Sequence, residues 1–296
     1  MKVLMITGDK NFSASPRFAL QAAQVERLGV VYIGWGSLWP KVPAGQFDVV
    51  TAQDPLLRGA FARRAAKKIG ARFNVQVHMD LQVLPWWKHI LARIILRHAD
   101  SIRVVSEKIK KQVQNMGVTA PISVLPVYID ISKFRNIIHQ PSKSDLLGGN
   151  ILWLGRFEDE KDPLCAIEVL KKVPNARLVM LGSGSLEKKL KKSAAGLEIE
   201  FPGWQDPAAY LAEADVVLST SKHESYGASI IEALAAGVPV VSPDIGVARE
   251  AGAAVAARLD LAHAVAEVLR SGGKGDLKIH LLNEQEWGQQ WKQSLT

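Results

Sequence analysis

The 296-residue chain is short of cysteine, of aromatic residues, of acids and of long apolar runs. One thiol, Cys165, can close no internal disulfide and has no partner for a thiolate metal cluster. That excludes a cross-linked secreted scaffold, fits a reducing compartment, and leaves Cys165 as a core filler. Aromatics make up only 7% of the residues, and the basic runs carry none in the interleaved pattern of a nucleic-acid module, so no nucleic-acid partner is expected. No stretch reaches the roughly 18 uninterrupted apolar residues of a membrane span. The opening run Val3 to Ile6 is too short for the apolar core of a signal peptide and reads as a strand. Acids are outnumbered, 29 against 37 Lys and Arg, for a net charge of +8. Such a surface draws nucleotides, nucleic acids and anionic lipid alike without choosing among them.

What is present is enough apolar content, 48%, to give each of two modest domains a core. The most informative stretch is ADVVLSTSKHESYGASIIEALAAGVPVVSP, Ala214 to Pro243. Val216 to Leu218 reads as a buried parallel strand emptying into the polar loop Ser219 to Ser225. A helix follows, with Ile230, Ile231, Leu234 and Ala235 on its apolar side; Gly237 stops it, and Val238 to Val241 is the next strand. In a strand, loop, helix, strand unit the helix N-terminus faces the ligand crevice. The backbone N–H groups near Ser225, Tyr226, Gly227 and Ala228 suit a phosphate there. Glu224 and Glu232 bracket the turn, and a carboxylate can accept from both hydroxyls of a vicinal diol, which suits Glu232 to a ribose and Glu224 to a sugar. The ordinary alternative is two solvated acids, yet Glu232 lies beside Ile231 on a helix that packs on the sheet, where a charge is costly.

Glu224, Tyr226, Gly227 and Glu232 followed by GVPVV resemble the E-x7-E signature of the retaining nucleotide-sugar glycosyltransferases of family 4, also called group 1. The resemblance implies a GT-B fold: an α/β protein of two Rossmann-like domains with parallel sheets facing across a cleft and a last helix crossing back to the first domain. The expected boundaries are 1–138 for the acceptor side, 139–282 for the donor side and 283–296 for the returning helix, with 136–149 as linker. It also implies that Glu224 meets the donor sugar and Glu232 the ribose, and that His78, after the strand Arg72 to His78, lies near the transferred sugar.

The first half reads as strand Val3 to Thr7, helix Arg17 to Arg27, strands Val30 to Ile33 and Asp48 to Thr51, and helix Pro55 to Ile69 with a basic solvated side. Where the family often has a Gly-Gly pair this chain has Gly8, Asp9, Lys10 and Asn11. PWWKHILARIILRHAD is an amphipathic basic helix from Trp86, with Ile90, Leu91, Ile94 and Ile95 on one side. Packing on its own sheet and contact with an anionic membrane surface through 86–97 both stand as readings. ADSIRVVSE and the P-x-x-x-D-x-x-F run ending at Phe134 resemble the family's first-domain exit.

In the second half, strand Asn150 to Leu154 leads into Gly155, Arg156, Phe157, Glu158, Asp159, Glu160 and Lys161. An Arg and a Lys fixed in a dry site can stabilise a departing diphosphate without metal. That role falls to Arg156 and Lys161, which match the family's diphosphate-gripping pair, although Asp162 stands where the family often has Gly. Surface charge is the alternative, given the acids 158 to 160. Gly182 and Gly184 after the strand Arg177 to Leu181 form a second crevice loop, and Trp204 after Ile199 to Gly203 is placed to stack on a base. Trp287 and Trp291, four apart in the last helix, read as the clip to the first domain.

The function expected is retaining transfer of a sugar from a nucleotide diphosphate sugar to an unidentified acceptor (glycan, glycolipid or small molecule), with no cofactor and no metal, in the cytoplasm or at the inner face of a membrane. Two alternatives remain open, another GT-B sugar-nucleotide enzyme such as an epimerase and a sugar-nucleotide-binding protein without catalysis.

Overall fold

The computed structural model describes residues 1–34, 45–138 and 148–296. Most of the expected linker, 139–147, lies outside them. The chain divides into one unit of Met1–Tyr128 with Leu281–Thr296 and a second of Ile129–His280.

The first unit runs β1 (Lys2–Thr7), α1 (Pro16–Ala22), β2 (Arg27–Tyr32), β3 (Val49–Ala52), α2 (Leu57–Ile69), β4 (Arg72–Val77), α3 (Trp86–Leu96), β5 (Ser101–Val104), α4 (Glu107–Asn115) and β6 (Ile122–Val124). Its six strands are all parallel in the order β2–β1–β3–β4–β5–β6. Helices cover such a sheet on both faces, so the middle of β1 is apolar throughout, and Val3, Leu4, Met5 and Ile6 are fully buried. Two of these helices begin where hydroxyl caps stand: Ser15 Oγ accepts from the Phe18 N–H at 3.2 Å with Pro16 in the first turn of α1, and Ser106 caps α4. The helix expected over Arg17–Arg27 is shorter, because Arg27 to Tyr32 pairs with Lys2 to Thr7 in the sheet. Ladder bonds there override the alanine-rich helical pattern.

The second unit runs α5 (Ser132–Arg135), β7 (Asn150–Leu154), α6 (Pro163–Leu170), β8 (Arg177–Leu181), α7 (Glu187–Ser193), β9 (Ile199–Gly203), α8 (Pro207–Glu213), β10 (Val216–Leu218), α9 (Ala228–Ala235), β11 (Val240–Ser242), α10 (Ala248–Ala251), β12 (Ala254–Val255) and α11 (Leu261–Ser271). Its sheet is also parallel, ordered β12–β11–β10–β7–β8–β9. The division between units falls ahead of the expected 138/139 boundary, because α5 packs on α9. The chain walks outward from β7 one way through β8 and β9 and the other way through β11 and β12. The switch therefore lies between β7 and β10, where crevices of open α/β sheets form.

The last helix, α12 (Glu284–Gln293), belongs with the first unit. A capping box starts it, with Asn283 accepting from the Glu286 N–H and Glu286 from that of Asn283. Trp287 and Trp291 are buried against Val3, Met5, Phe12 and Leu125. Trp287 Nε1 donates to the Pro126 carbonyl at 2.8 Å, and Asn74 Nδ2 to that of Ser294 at 2.9 Å. Trp291→Ala should lower the unfolding free energy of the full chain by about 3–5 kcal/mol in urea titration. A loss under about 1 kcal/mol would show that α12 is no part of the core.

Candidate active site

Because β7 and β10 are neighbours in the sheet, with Ile151 opposite Val216, the loops that follow them are neighbours too. The first runs through Gly155, Arg156 and Phe157 to a 3-10 turn at Asp159–Lys161. The second runs from Ser219 to Gly227 and opens α9. Thr220 ties them, and the Lys222 N–H donates to the Glu160 carbonyl at 2.9 Å beside it. Trp153 Nε1 donates to the Thr220 hydroxyl at 2.8 Å, and that hydroxyl donates to the carbonyls of Lys161 and Asp162 at 3.0 and 2.9 Å. A buried side chain thus reads the backbone of the opposite loop.

On this frame Lys161 Nζ forms an ion pair with Glu224 Oε1, to which Ser221 Oγ also donates at 2.9 Å. The pair is shielded, the two side chains being 20% and 14% exposed. Asp162 adopts the left-handed backbone conformation, φ 45°, ahead of Pro163 at the start of α6. A glycine would take that conformation without strain, which explains how the family's glycine and this aspartate occupy one position. Here the aspartate adds a tether, since its carboxylate pairs with Arg258, whose Nη1 also donates to the Thr220 carbonyl at 2.7 Å. Arg258 and Thr220 escape the sequence argument: their partners lie 37 to 96 residues away along the chain, and no local pattern marks them.

Arg156 is not drawn into this cluster. Its guanidinium is 63% exposed and pairs with Glu160 at 2.7 Å, so in the free protein the surface-charge reading describes it. Gly182 and Gly184 serve the frame. A Cβ on Gly182 would strike the Gly155 carbonyl, and the Gly155 and Phe157 N–H groups donate to Leu181 and Ser183 carbonyls at 3.1 and 2.8 Å. The glycines let two crevice loops lie backbone to backbone.

Gly227 caps α9 with φ 104°, and the Tyr226 carbonyl accepts from the Val247 N–H at 2.9 Å. The loop before α10 thereby closes over the motif, and Gly246 sits where a Cβ would meet that same carbonyl. Tyr226 is buried, which pushes its hydroxyl up to about 12, while Ser225 is half-buried. Glu232, on α9, has surroundings distinct from those of Glu224. Burial pushes its carboxyl up to about 7, Lys133 opposes that shift, and Asp206 adds to it. Among the described residues its carboxylate has no hydrogen-bond partner. Lys133 and Asp206 themselves pair at 3.3 Å. Trp204, two residues before Asp206, is 68% exposed, free to present a ring face. The two signature carboxylates thus share no partner.

His78 belongs to the first unit, one step past β4. Its Nε2 lies 3.4 Å from Gln76 Oε1. Burial, then Arg103 and Arg17, hold the imidazole well below its usual range, so it is neutral. No group of three or more His, Cys, Asp and Glu among the described residues could hold a metal ion.

Two parallel sheets with crevice loops of this kind define the GT-B class, and the comparisons agree. Residues 11–127 match the family model of the glycosyl transferase 4-like domain and residues 148–271 that of glycosyl transferases group 1. On these matches the chain belongs to the GT-B glycosyltransferases of the GT4 type. It is 29% identical over 151 residues to the lipopolysaccharide core biosynthesis glycosyltransferase LpsE of Rhizobium meliloti, covering 49% of this chain and 44% of that one. It is 31% identical over 147 residues to the GDP-mannose-dependent α-(1-6)-phosphatidylinositol dimannoside mannosyltransferase of Mycobacterium tuberculosis, covering 45% and 38%. The matched stretches thus span less than half the length of these relatives. Among solved structures Anabaena HepE in complex with UDP and glucose has a TM-score of 0.70 at 14% identity, covering 100% of this chain and 99% of that one.

The Glu232 carboxyl makes stability depend on pH in a definite sense. Its folded value, about 7, lies above the ordinary 4.5. Between the two the unfolded chain sheds a proton that the folded chain keeps, so rising pH favours unfolding. Glu232→Gln removes that term, so the variant should gain stability over the parent, by up to about 3 kcal/mol, as urea titrations move from about pH 4.5 to pH 7.5. A difference flat within about 0.5 kcal/mol would show an unshifted carboxyl.

Proposed function

We propose that the chain transfers a glycosyl group from a nucleoside diphosphate sugar to an acceptor with retention at the anomeric carbon. The observation that carries this reading is the shielded Lys161–Glu224 pair, held where the loops after β7 and β10 are knotted by Thr220. Relatives with GDP-mannose in the name and a structural neighbour holding UDP and glucose support the choice of donor class. In the transfer the bond from the anomeric carbon to the diphosphate oxygen breaks and its electron pair stays on the diphosphate. The acceptor oxygen bonds to that carbon from the same face, and its proton passes to the departing diphosphate. Lys161 stabilises the charge that develops, and Glu224 accepts hydrogen bonds from sugar hydroxyls. Glu232 accepts from the ribose diol, Trp204 stacks on the base, and Ser225, Tyr226 and Gly227 present the start of α9 to the phosphates. Arg156 joins them on exchanging Glu160 for the diphosphate. No metal enters this scheme, since fixed cations supply the charge.

Lys161→Ala should lower turnover by roughly two to three orders of magnitude. The donor is identified first, by thermal shift with UDP-, GDP-, ADP- and dTDP-sugars, and the product anomer is then read by NMR. A change under about threefold in turnover would remove Lys161 from the reaction; an inverted anomer would remove retention.

A second reading concerns the surface on which the protein works. The apolar stripe expected along α3 is split: Ala92, Ile95 and Leu96 are buried on the sheet, whereas Trp86, Trp87, Ile90 and Ile94 are 76%, 51%, 49% and 46% exposed. The placement of Ile90 and Ile94 on one side with Ile95 is thereby corrected. Their spacing of one, four and eight puts the exposed four on one face. Arg93 and Arg97 lie on the same side, both tethered through Nε to the Met116 carbonyl, and 81–99 contains no acid. Aromatic and aliphatic groups ringed by cations fit an anionic bilayer surface; no described helix is long and apolar enough to cross one. The paired substitution Trp86→Ser with Ile90→Ser should cut flotation with phosphatidylglycerol-containing vesicles at least roughly fivefold, with the melting temperature unchanged. Unchanged flotation, or a dimer that the substitution splits, would sink the membrane reading.

A further inference from the structure

The first unit buries positive charge that it does not neutralise. Arg103 on β5 is 1% exposed, yet its guanidinium meets only neutral groups. Nε donates to the Leu125 carbonyl at 3.0 Å, Nη2 to that of Pro126 at 2.8 Å and Nη1 to Gln76 Oε1 at 2.8 Å. The Trp287 ring lies 5.1 Å from its Cζ. Arg17 on α1 stacks over Phe12 at 5.2 Å, and its buried Nε has no partner. Among the described residues neither arginine forms an ion pair. His78 looks at the same amide oxygen as Arg103, its Nε2 3.4 Å from Gln76 Oε1.

Burial lowers both arginines: desolvation and then the charge of Arg17 bring Arg103 down to about 9, and at Arg17 the exposed Asp9 opposes the effect of burial. Isolated buried cations are costly, and a protein normally pairs them. His78 stands just past the carboxyl end of β4 and Arg103 next to last in β5, while Arg17 lies in the first turn of α1, the α-helix that follows β1; the carboxyl edge of a parallel sheet is where ligands bind. Guanidinium groups are the side chains best suited to an oxyanion there, by charge, by geometry and by weak hydration.

We infer that the strand ends of the first unit hold a site for a phosphate-class oxyanion, bound by Arg17 and the His78 ring with the charge of Arg103 behind them. The transfer reading enters only in naming the anion's owner, which is a phosphoryl group on the acceptor or the diphosphate of the donor. Arg103 stands behind the anion, 1% exposed and with three of its five N–H groups committed to protein acceptors. It acts through space, while Arg17 has a donor to spare.

The test uses the full chain and inorganic phosphate, against potassium chloride of equal ionic strength. Phosphate should raise the melting temperature saturably, and it should raise the apparent His78 pKa followed by imidazole NMR, because an anion favours the imidazolium. Arg17→Gln should weaken both responses at least roughly tenfold, whereas Arg17→Lys, which keeps the charge, should retain most of them. A saturable rise that Arg17→Gln leaves intact, or a melting shift without movement of His78, overturns the site. If UDP displaces phosphate from His78 the donor owns the anion; if both bind together the acceptor does; either result upholds the site. Phosphate binding needs no turnover, so this outcome stands apart from that of Lys161→Ala.

Discussion

One hydroxyl organises the second unit. Strand pairing brings the loops after β7 and β10 side by side, but adjacency alone leaves their side chains free to settle anywhere. Thr220 removes that freedom, since its oxygen receives the Trp153 indole N–H while its proton is offered to two successive carbonyls of the other loop. A buried carbonyl without a donor costs more than a hydrogen bond contributes, so the loops have few alternatives once Trp153 is packed in the core. Arg258 repeats the device from α11's side, spanning Asp162, Thr220 and Ser221. Lys161 meets Glu224 because everything around them is already committed.

The first unit solves a different problem. Alternate residues of β4 and β5 point one polar face toward α12: Asn74 and Gln76 from one strand, Ser101 and Arg103 from the other. Thr51, Asn74, Gln76 and Ser101 satisfy one another at 2.7 to 2.9 Å, and the remaining amide hydrogen reaches the Ser294 carbonyl. The C-terminal helix is therefore docked by direction as well as by apolar area. Polar networks of this sort admit one arrangement and penalise others.

The sequence disclosed what is local. Strands in apolar runs, the helix stopped by Gly237, and the spacing of Glu224 and Glu232 could be read because each signal lies within a dozen residues, and Arg177–Leu181 and Ile199–Gly203 fall where the pattern places them. It concealed what depends on burial or on distant partners. Arg103 reads as an ordinary strand residue, since nothing in SIRVV shows that its guanidinium will end in the core. The α3 stripe misleads for the opposite reason: apolar periodicity reports that a face exists, not whether the protein covers it. Asp162 was visible as a departure from the family, but its tether to Arg258 was not, because an ion pair over 96 residues leaves no spacing to count.

The two signature carboxylates illustrate how one motif holds two kinds of acid. Glu224 sits against an ammonium and a hydroxyl and is fixed as an acceptor before any substrate arrives. Glu232 is withdrawn from water without a partner, and at about 7 its carboxyl is divided between neutral and charged forms near neutral pH. The charged form offers two acceptor oxygens to the hydroxyls of a diol, whereas the neutral form keeps a proton on one of them. On the proposed reading, a ribose diol that donates to both oxygens favours the charged form, and part of its binding energy goes into holding that charge. The ribose on that reading supplies hydrogen-bond donors to a carboxylate that burial disfavours, so the ligand offsets part of the desolvation that raises the Glu232 carboxyl.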